Sequence, residues 1–244
     1  HATVGELKRS PLAGDARADV CVVGAGIAGM MTAYLLTKAG KRVIVLDDGL
    51  IGGGETGRTT GHLSDALDDR YTELERLHGA DGARLAASSH RAAIQRIAEI
   101  VQAESIACDF AWVDGYLFPS QNTDANGLWN EMEAARRAGV AVEMAEDPPY
   151  DPFGTGACLR FLRQGRVHSL KLLEGLARAI ERVQRVLVAQ GLDRGGLGGG
   201  VAEERLADLV DRGAELLGAA EPVPDAQPAE AVDLREGAQE HEVG

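Results

Sequence analysis

The sequence predicts an α/β fold on three observations: a strand–helix–strand pattern near its start, a GxGxxG run at the first turn, and an acidic residue closing the second strand. Asp19 to Gly24 (DVCVVG) is a short hydrophobic run ending at glycine. Ile27 to Ala39 (IAGMMTAYLLTKA) is apolar at helical spacing, and Gly40 supplies a stop. Arg42 to Asp47 (RVIVLD) is a second hydrophobic run rich in β-branched residues. Between the first strand and the helix stands Gly24-Ala25-Gly26-Ile27-Ala28-Gly29. In such a unit Gly24 permits the tight turn, Gly26 lets a pyrophosphate approach the backbone, and Gly29 lets helix and strand pack closely. The helix start, with Ile27 and Ala28, offers unpaired N–H donors and the positive end of the helix dipole. Asp47 lies 18 residues after Gly29 and would accept hydrogen bonds from ribose hydroxyls, with Asp48 as the alternative. Its charge disfavours a 2′-phosphate, which favours FAD or NAD over NADP.

Ile51 to Leu63 (IGGGETGRTTGHL) is too rich in glycine and hydroxyls for a core element and reads as a binding loop. Closely spaced backbone donors with Thr56, Thr59 and Thr60 suit a diphosphate or the far end of a dinucleotide, and Arg58 adds charge. His62, taken alone, is more simply a hydrogen-bonded structural histidine. Downstream, Leu67 to Leu77 and Asp81 to Ser105 read as helices, and Trp112 to Phe118 as an aromatic strand. A loop at Pro119 to Asn126, a helix through Leu128 to Ala138, a strand at Val140 to Met144 and an amphipathic helix at Leu170 to Ile180 follow.

The chain has 244 residues, 45% apolar and 26% charged, enough for a domain and a half. Lys and Arg number 25 against 38 Asp and Glu, a formal charge of −13 that argues against a nucleic-acid or anionic-membrane surface. A small anion held by backbone donors remains compatible with it. No run reaches the roughly 18 apolar residues of a membrane span, and no secretory leader is recognisable. Cys21, Cys108 and Cys158 lack CxxC spacing, so they read as core thiols of a cytoplasmic protein, with no metal site expected. All Phe, Trp and Tyr residues lie at or before Phe161. Gly191 to Gly200 holds six glycines in ten residues and reads as a linker. Val201 to Leu217 follows as one helix, then Glu221 to Gly244 as a disordered tail, with 12 Asp or Glu against 3 Arg between residues 203 and 244.

Residues 19 to 63 resemble the N-terminal cofactor segment of FAD-dependent oxidoreductases of the D-amino-acid oxidase, glycine oxidase and sarcosine oxidase superfamily. The wording GGGETGRTTGHL is especially similar to a bacterial subgroup that often carries a C-terminal Rieske domain; that subgroup has Ala where this chain has Gly61. The resemblance continues through DGYLF at Asp114 to Phe118, AGV at Ala138 to Val140, CLRF at Cys158 to Phe161 and Gly165 to His168. It tips the cofactor towards FAD. It implies that Gly24, Gly26, Ile27, Ala28 and Gly29 meet the pyrophosphate, Asp47 or Asp48 the ribose, and Thr56, Thr59, Thr60, Gly61 and His62 the remaining cofactor. The implied reaction removes a hydride from a C–H beside an amine or similar donor; the electron acceptor and the catalytic residues stay open. Tyr116, Arg160 and His168 are the polar residues to inspect near a flavin. The resemblance stops near Glu181-Arg182, and no cysteine follows Cys158 to build a Rieske ligand set.

The expected architecture is therefore a Rossmann-like FAD-binding domain with part of an α+β substrate domain, incomplete. Residues 15–78 form the first part, 79–182 a helical segment and partial substrate domain, and 183–244 a linker, one helix and tail. Sheet faces left without cover would promote self-association. The alternatives are a dinucleotide-binding fragment that does not catalyse, and an NAD-dependent dehydrogenase, which leaves the second glycine-rich loop without a purpose.

Overall fold

Two parallel strands, β1 (Val20–Val23) and β2 (Val43–Asp47), begin the first sheet, with Val20 opposite Val43 and Val23 opposite Leu46. The computed structural model describes residues 5–10, 16–119, 125–146, 148–149, 156–183 and 188–190. Helix α1 (Ile27–Lys38) connects the two strands as the pattern predicts, buried through Met30, Ala33 and Tyr34. At the far end of the strands the Arg42 backbone N–H donates to Asp19 Oδ2 at 2.8 Å and Arg42 Nη2 donates to Asp19 Oδ1 at 2.7 Å. These bonds hold the Asp19 carboxyl down at about 2, against an ordinary 3.8. A depressed folded value means that the pair's stabilisation is present above the ordinary value and lost as pH falls through about 2. Carbon-detected NMR of Asp19 is expected to give a midpoint near 2, rising only part of the way back towards 3.8 in Arg42→Ala, which removes the guanidinium and keeps the backbone N–H donor; an unchanged midpoint would contradict the pairing.

Residues 64–70 are turns, and α2 (Tyr71–Ala103) starts four residues later than its apolar spacing implies. Arg70 has φ 65°, so the helix cannot extend back through it. The cap comes from elsewhere in the chain: Tyr71 N–H donates to Glu131 Oε1 at 2.7 Å and Thr72 N–H to Glu131 Oε2 at 3.0 Å. Gly79, at φ 69° and ψ 174°, interrupts α2 where the sequence separates two helices.

The second sheet centres on β6 (Cys158–Arg166). β4 (Ala111–Leu117) runs antiparallel along one side, while β5 (Val142–Ala145) and β3 (His62–Leu63) share the other. β5 takes residues 158–161 and β3 takes 165–166, so nothing but β6 carries both. Arg163, at φ 57°, marks an irregularity opposite Val113 and Gly115. Helix α3 (Ala125–Arg137) lays Leu128, Met132, Ala134 and Ala135 against Leu159, Phe161 and Val142, with Tyr71, Ala83 and Ala87 of α2 closing this core.

A buried polar clamp fixes the segment after β3 onto β6. Gln164, fully buried, accepts from the Asp65 N–H at 2.7 Å and from Ser64 Oγ at 3.0 Å, and its Nε2 donates to the Leu162 carbonyl at 3.0 Å. The Asp65 carboxylate, 1% exposed, is ion-paired with Arg91 of α2, whose Nη1 also donates to the Arg163 carbonyl at 2.7 Å.

Helix α4 (Ser169–Val183) returns the chain to the first sheet and buries Leu172, Leu173, Leu176, Ala177 and Ile180 in one core with Met30, Ala33 and Val45. Each fully buried leucine there contributes roughly 1.5–3 kcal/mol. Glu104 joins three helices: it accepts from Tyr34 Oη at 2.7 Å, Lys38 Nζ at 2.9 Å and Arg182 Nη2 at 2.6 Å. Those bonds, Lys38's first, lower the Glu104 carboxyl, while burial and the Glu104 bond push the Tyr34 hydroxyl up to about 12.

Beyond α4 the sequence reading anticipates no further sheet, and the structure differs. β7 (Val188–Gln190) pairs parallel with β2, Val45 opposite Val188 and Asp47 opposite Gln190, giving the order β1-β2-β7. The predicted linker at 191–200, helix at 201–217 and tail at 221–244 lie outside the described residues, as does most of the loop at 119–126. None of the three cysteines forms a disulfide; Cys108 and Cys158 are buried and Cys21 half-buried. Among the described residues no helix is long and apolar enough to cross a membrane.

Candidate dinucleotide and donor site

The glycine run folds where β1 gives way to α1. Gly24, at φ 101°, turns the chain, and its N–H donates to the Leu46 carbonyl at 2.7 Å. Gly26 is the N-cap of α1, and Ile27, Ala28 and Gly29 form its first turn. Gly29 is packed so tightly that a Cβ would lie 1.8 Å from the Gly24 carbonyl oxygen. Asp47, the last residue of β2, reaches across: its Oδ2 accepts from the Ala25 N–H at 2.6 Å and its Oδ1 from the Gly49 N–H at 2.8 Å. Each oxygen keeps a second lone pair for an outside hydroxyl. Asp48, next along the chain, is exposed.

The second glycine-rich loop is tied to the first. Gly52 N–H donates to the Ala25 carbonyl at 3.0 Å, and the Ile27 N–H at the helix start donates to Thr56 Oγ1 at 3.1 Å. Thr56 sits in a 3-10 turn, Glu55–Gly57. Gly24–Gly29, Asp47 and Thr56 thus form one cradle of N–H donors and acceptor oxygens around the end of β1. That donor set fits a diphosphate with an adjoining ribose: N–H groups for the anion, a carboxylate for the hydroxyls.

From Thr56 the loop runs along a cavity of about 560 Å³ whose walls include Thr59, Thr60, Asp109, Arg166, His168 and Ser169. Gly61, next in the chain after the lining residue Thr60, holds a backbone conformation that favours glycine: φ is 72°, and a Cβ would lie 2.0 Å from the Val167 carbonyl oxygen. Its own carbonyl accepts from the Val167 N–H at 2.9 Å. His168 caps α4, its carbonyl accepting from the Leu172 N–H at 3.0 Å and its Nδ1 from the Lys171 N–H at 3.4 Å. Asp109 is gripped by Lys171 Nζ at 2.7 Å, which, with the nearby His168 and Arg166, lowers its carboxyl.

The other sequence-selected residues lie apart from the cavity walls. His62 is exposed, with its ring edge 3.4 Å from where a Gly115 Cβ would stand. Arg160 is engaged by Asp114 at 2.8 Å and Glu143 at 3.1 Å, and Tyr116 pairs across from it on β4. Of Tyr116, Arg160 and His168, the cavity takes His168. Sequence reasoning missed Asp109 and Arg166 as cavity residues. They come from the approach to β4 and the end of β6, and the Ala111–Arg166 pairing brings them together.

A parallel βαβ unit with a glycine cradle, a carboxylate at the end of β2 and a second donor-rich loop defines a dinucleotide-binding α/β protein. The family model for FAD dependent oxidoreductases (DAO) matches residues 19–216, and the chain belongs to that family, whose cofactor is FAD. The match extends past residue 182, where the sequence resemblance was drawn to a close, and takes in β7. YhfW of Bacillus subtilis (strain 168), whose name places it with the Rieske 2Fe-2S iron-sulfur proteins, is 32% identical over 166 residues, 68% of this chain and 32% of YhfW. Gamma-glutamylputrescine oxidoreductase of Escherichia coli (strain K12) is 31% identical over 174 residues, 66% of this chain and 39% of that protein. The chain therefore spans about a third of the length of these relatives. The solved L-amino acid deaminase of Proteus vulgaris shares the fold, with a TM-score of 0.59 at 18% identity over 76% of this chain and 48% of that one.

Proposed function

We propose that this chain provides the FAD-holding part of an oxidoreductase acting on a C–H beside an amine or similar nitrogen donor. The observation that carries the reading is the meeting of Asp47 and Thr56 at the start of α1, through the Ala25 and Ile27 N–H groups. Bound there, the flavin would supply the two-electron acceptor for the hydride. The residues of the chain do the holding: Gly24, Gly26, Ile27, Ala28 and Gly29 receive the pyrophosphate, and Asp47, with Asp48 as its neighbour, the ribose. Thr56, Thr59 and Thr60 line the remaining length, and Gly61 and His62 follow them in the chain.

The division at 15–78, 79–182 and 183–244 belongs to the same proposal, with β3 and α4 exchanged between the first two parts: β3 joins the second sheet and α4 packs on α1. Self-association is included, supported by Val23, 47% exposed on the outer strand β1. A cytoplasmic location is supported by three cysteines without a disulfide. The amine-type donor is supported by the likeness to gamma-glutamylputrescine oxidoreductase.

The test is to mix the purified chain with FAD, remove the excess and record the visible spectrum. Retained flavin bands are expected. Thr56→Val and Asp47→Ala are each expected to weaken FAD about tenfold or more in a fluorescence titration, because a hydrogen bond to a charged group contributes about 1.5–3 kcal/mol. A monodisperse, folded chain that retains no flavin would overturn the reading, leaving a non-catalytic member of the family.

A further inference from the structure

Ile51, at the start of the second glycine-rich loop, is 3% exposed, so its backbone N–H needs a partner inside the protein. That partner comes from outside the βαβ unit: the N–H donates to the Leu7 carbonyl at 3.3 Å. Leu7 belongs to a short arm, residues 5–10, that runs ahead of β1 and falls outside the division beginning at residue 15. Its side chain packs, partly buried, against the core that contains Ile51, Leu173 and Ile180. Two residues on, Arg9 Nε donates to Glu181 Oε1 at 2.6 Å, and Arg9 Nη1 donates to the Lys8 carbonyl at 2.9 Å. The arm therefore reaches from the first residue of the loop to the last turn of α4. The loop's hold on the glycine cradle begins at the next residue. Gly52 N–H donates to the Ala25 carbonyl at 3.0 Å, and Thr56 Oγ1 accepts from the Ile27 N–H at 3.1 Å. Helix α4 lies against the same point, since a Cβ on Gly52 would be 2.7 Å from Leu170 Cδ2 and from Leu173 Cδ1.

We infer that residues 5–10 are a strap that positions the second glycine-rich loop for the cofactor, Leu7 and Arg9 being positioning residues that act through Ile51 and Glu181. The inference rests on the FAD reading above. Binding needs Gly52 on Ala25 and Thr56 on Ile27, and the apparent affinity falls with the fraction of chains whose loop is so placed. The Arg9–Glu181 pair is 26% and 35% exposed, so by itself it contributes little. The larger share of the hold lies in the buried Ile51 N–H and the Leu7 contact, and the ion pair keeps both in register with α4.

The experiment measures amide hydrogen exchange by NMR and FAD affinity by fluorescence titration in the full chain, in Arg9→Glu, in Arg9→Glu with Glu181→Arg, and in Leu7→Ser with Arg9→Glu. Arg9→Glu is expected to speed exchange at Ile51 and Gly52 about threefold, and the added Glu181→Arg to restore it to within about twofold. Leu7→Ser with Arg9→Glu is expected to speed exchange there at least about tenfold and to weaken FAD about fivefold or more, while exchange at Val45 in β2 changes less than about twofold. Unchanged exchange at Ile51 and Gly52, or unchanged FAD affinity in the Leu7→Ser, Arg9→Glu chain, would overturn the inference. So would an equal rise at Val45, which would make the arm a general contributor to stability, or a charge exchange that restores nothing. Failure of the unmodified chain to bind FAD would instead overturn the cofactor reading, and exchange in the chain without FAD would still decide whether the arm holds the loop.

Discussion

Gly29→Ala is expected to abolish FAD retention and to destabilise the fold by about 3 kcal/mol or more, at the upper end of what overpacking costs. The added methyl would fall 1.8 Å from the Gly24 carbonyl oxygen and 3.3 Å from Val22 Cγ1. The nearest neighbour is backbone, so no side-chain rotation relieves the clash. Either α1 lifts from β1 or the Gly24 turn opens, and both displace the Ile27 N–H from Thr56 and the Ala25 N–H from Asp47. Gly54→Ala is the control: its φ is −83° and a Cβ would meet nothing within 4 Å. Urea unfolding and flavin retention of the two variants check the prediction. Equal behaviour would show that the tight helix–strand approach is dispensable.

Arg91→Met is expected to cost about 3 kcal/mol, within the range for removing one partner of a buried ion pair. The loss is asymmetric. Asp65 is 1% exposed, and its Oδ1 has no hydrogen-bond partner, so the carboxylate depends on Arg91 at its other oxygen. Without the guanidinium a charge stays buried, and the Arg163 carbonyl loses its donor where β6 bends. Replacing both residues, as Asp65→Leu with Arg91→Met, is expected to recover much of the stability, because no charge is then left stranded. Denaturant midpoints of the two single variants and the double variant provide the measurement; a single variant losing less than about 1 kcal/mol would contradict a buried, dependent carboxylate.

The first βαβ unit was readable because its signals are local. Gly24, Gly29 and Asp47 have fixed jobs within a span the eye can cover, and the helical period of 27–39 lies between two β-branched runs. Gly79 was readable for the same reason, as a break between two periodic stretches. The start of α2 was not, because its cap is Glu131, a residue of another helix, and nothing near Tyr71 announces it. β7 was not, because Val188-Ala189-Gln190 is three residues without a pattern, and its strand character comes from lying against β2. Arg166 and Asp109 belong to the same class: each looks like an ordinary charged residue until antiparallel pairing sets their strands side by side.

That dependence on β7 also has a dimension in time. β2 must wait for a strand roughly 140 residues further along the chain, which at ordinary elongation rates takes on the order of ten seconds of synthesis. During that interval the edge of β2 that carries Asp47 is open beside the glycine cradle. A nascent chain therefore emerges with its earliest functional element unfinished on one side.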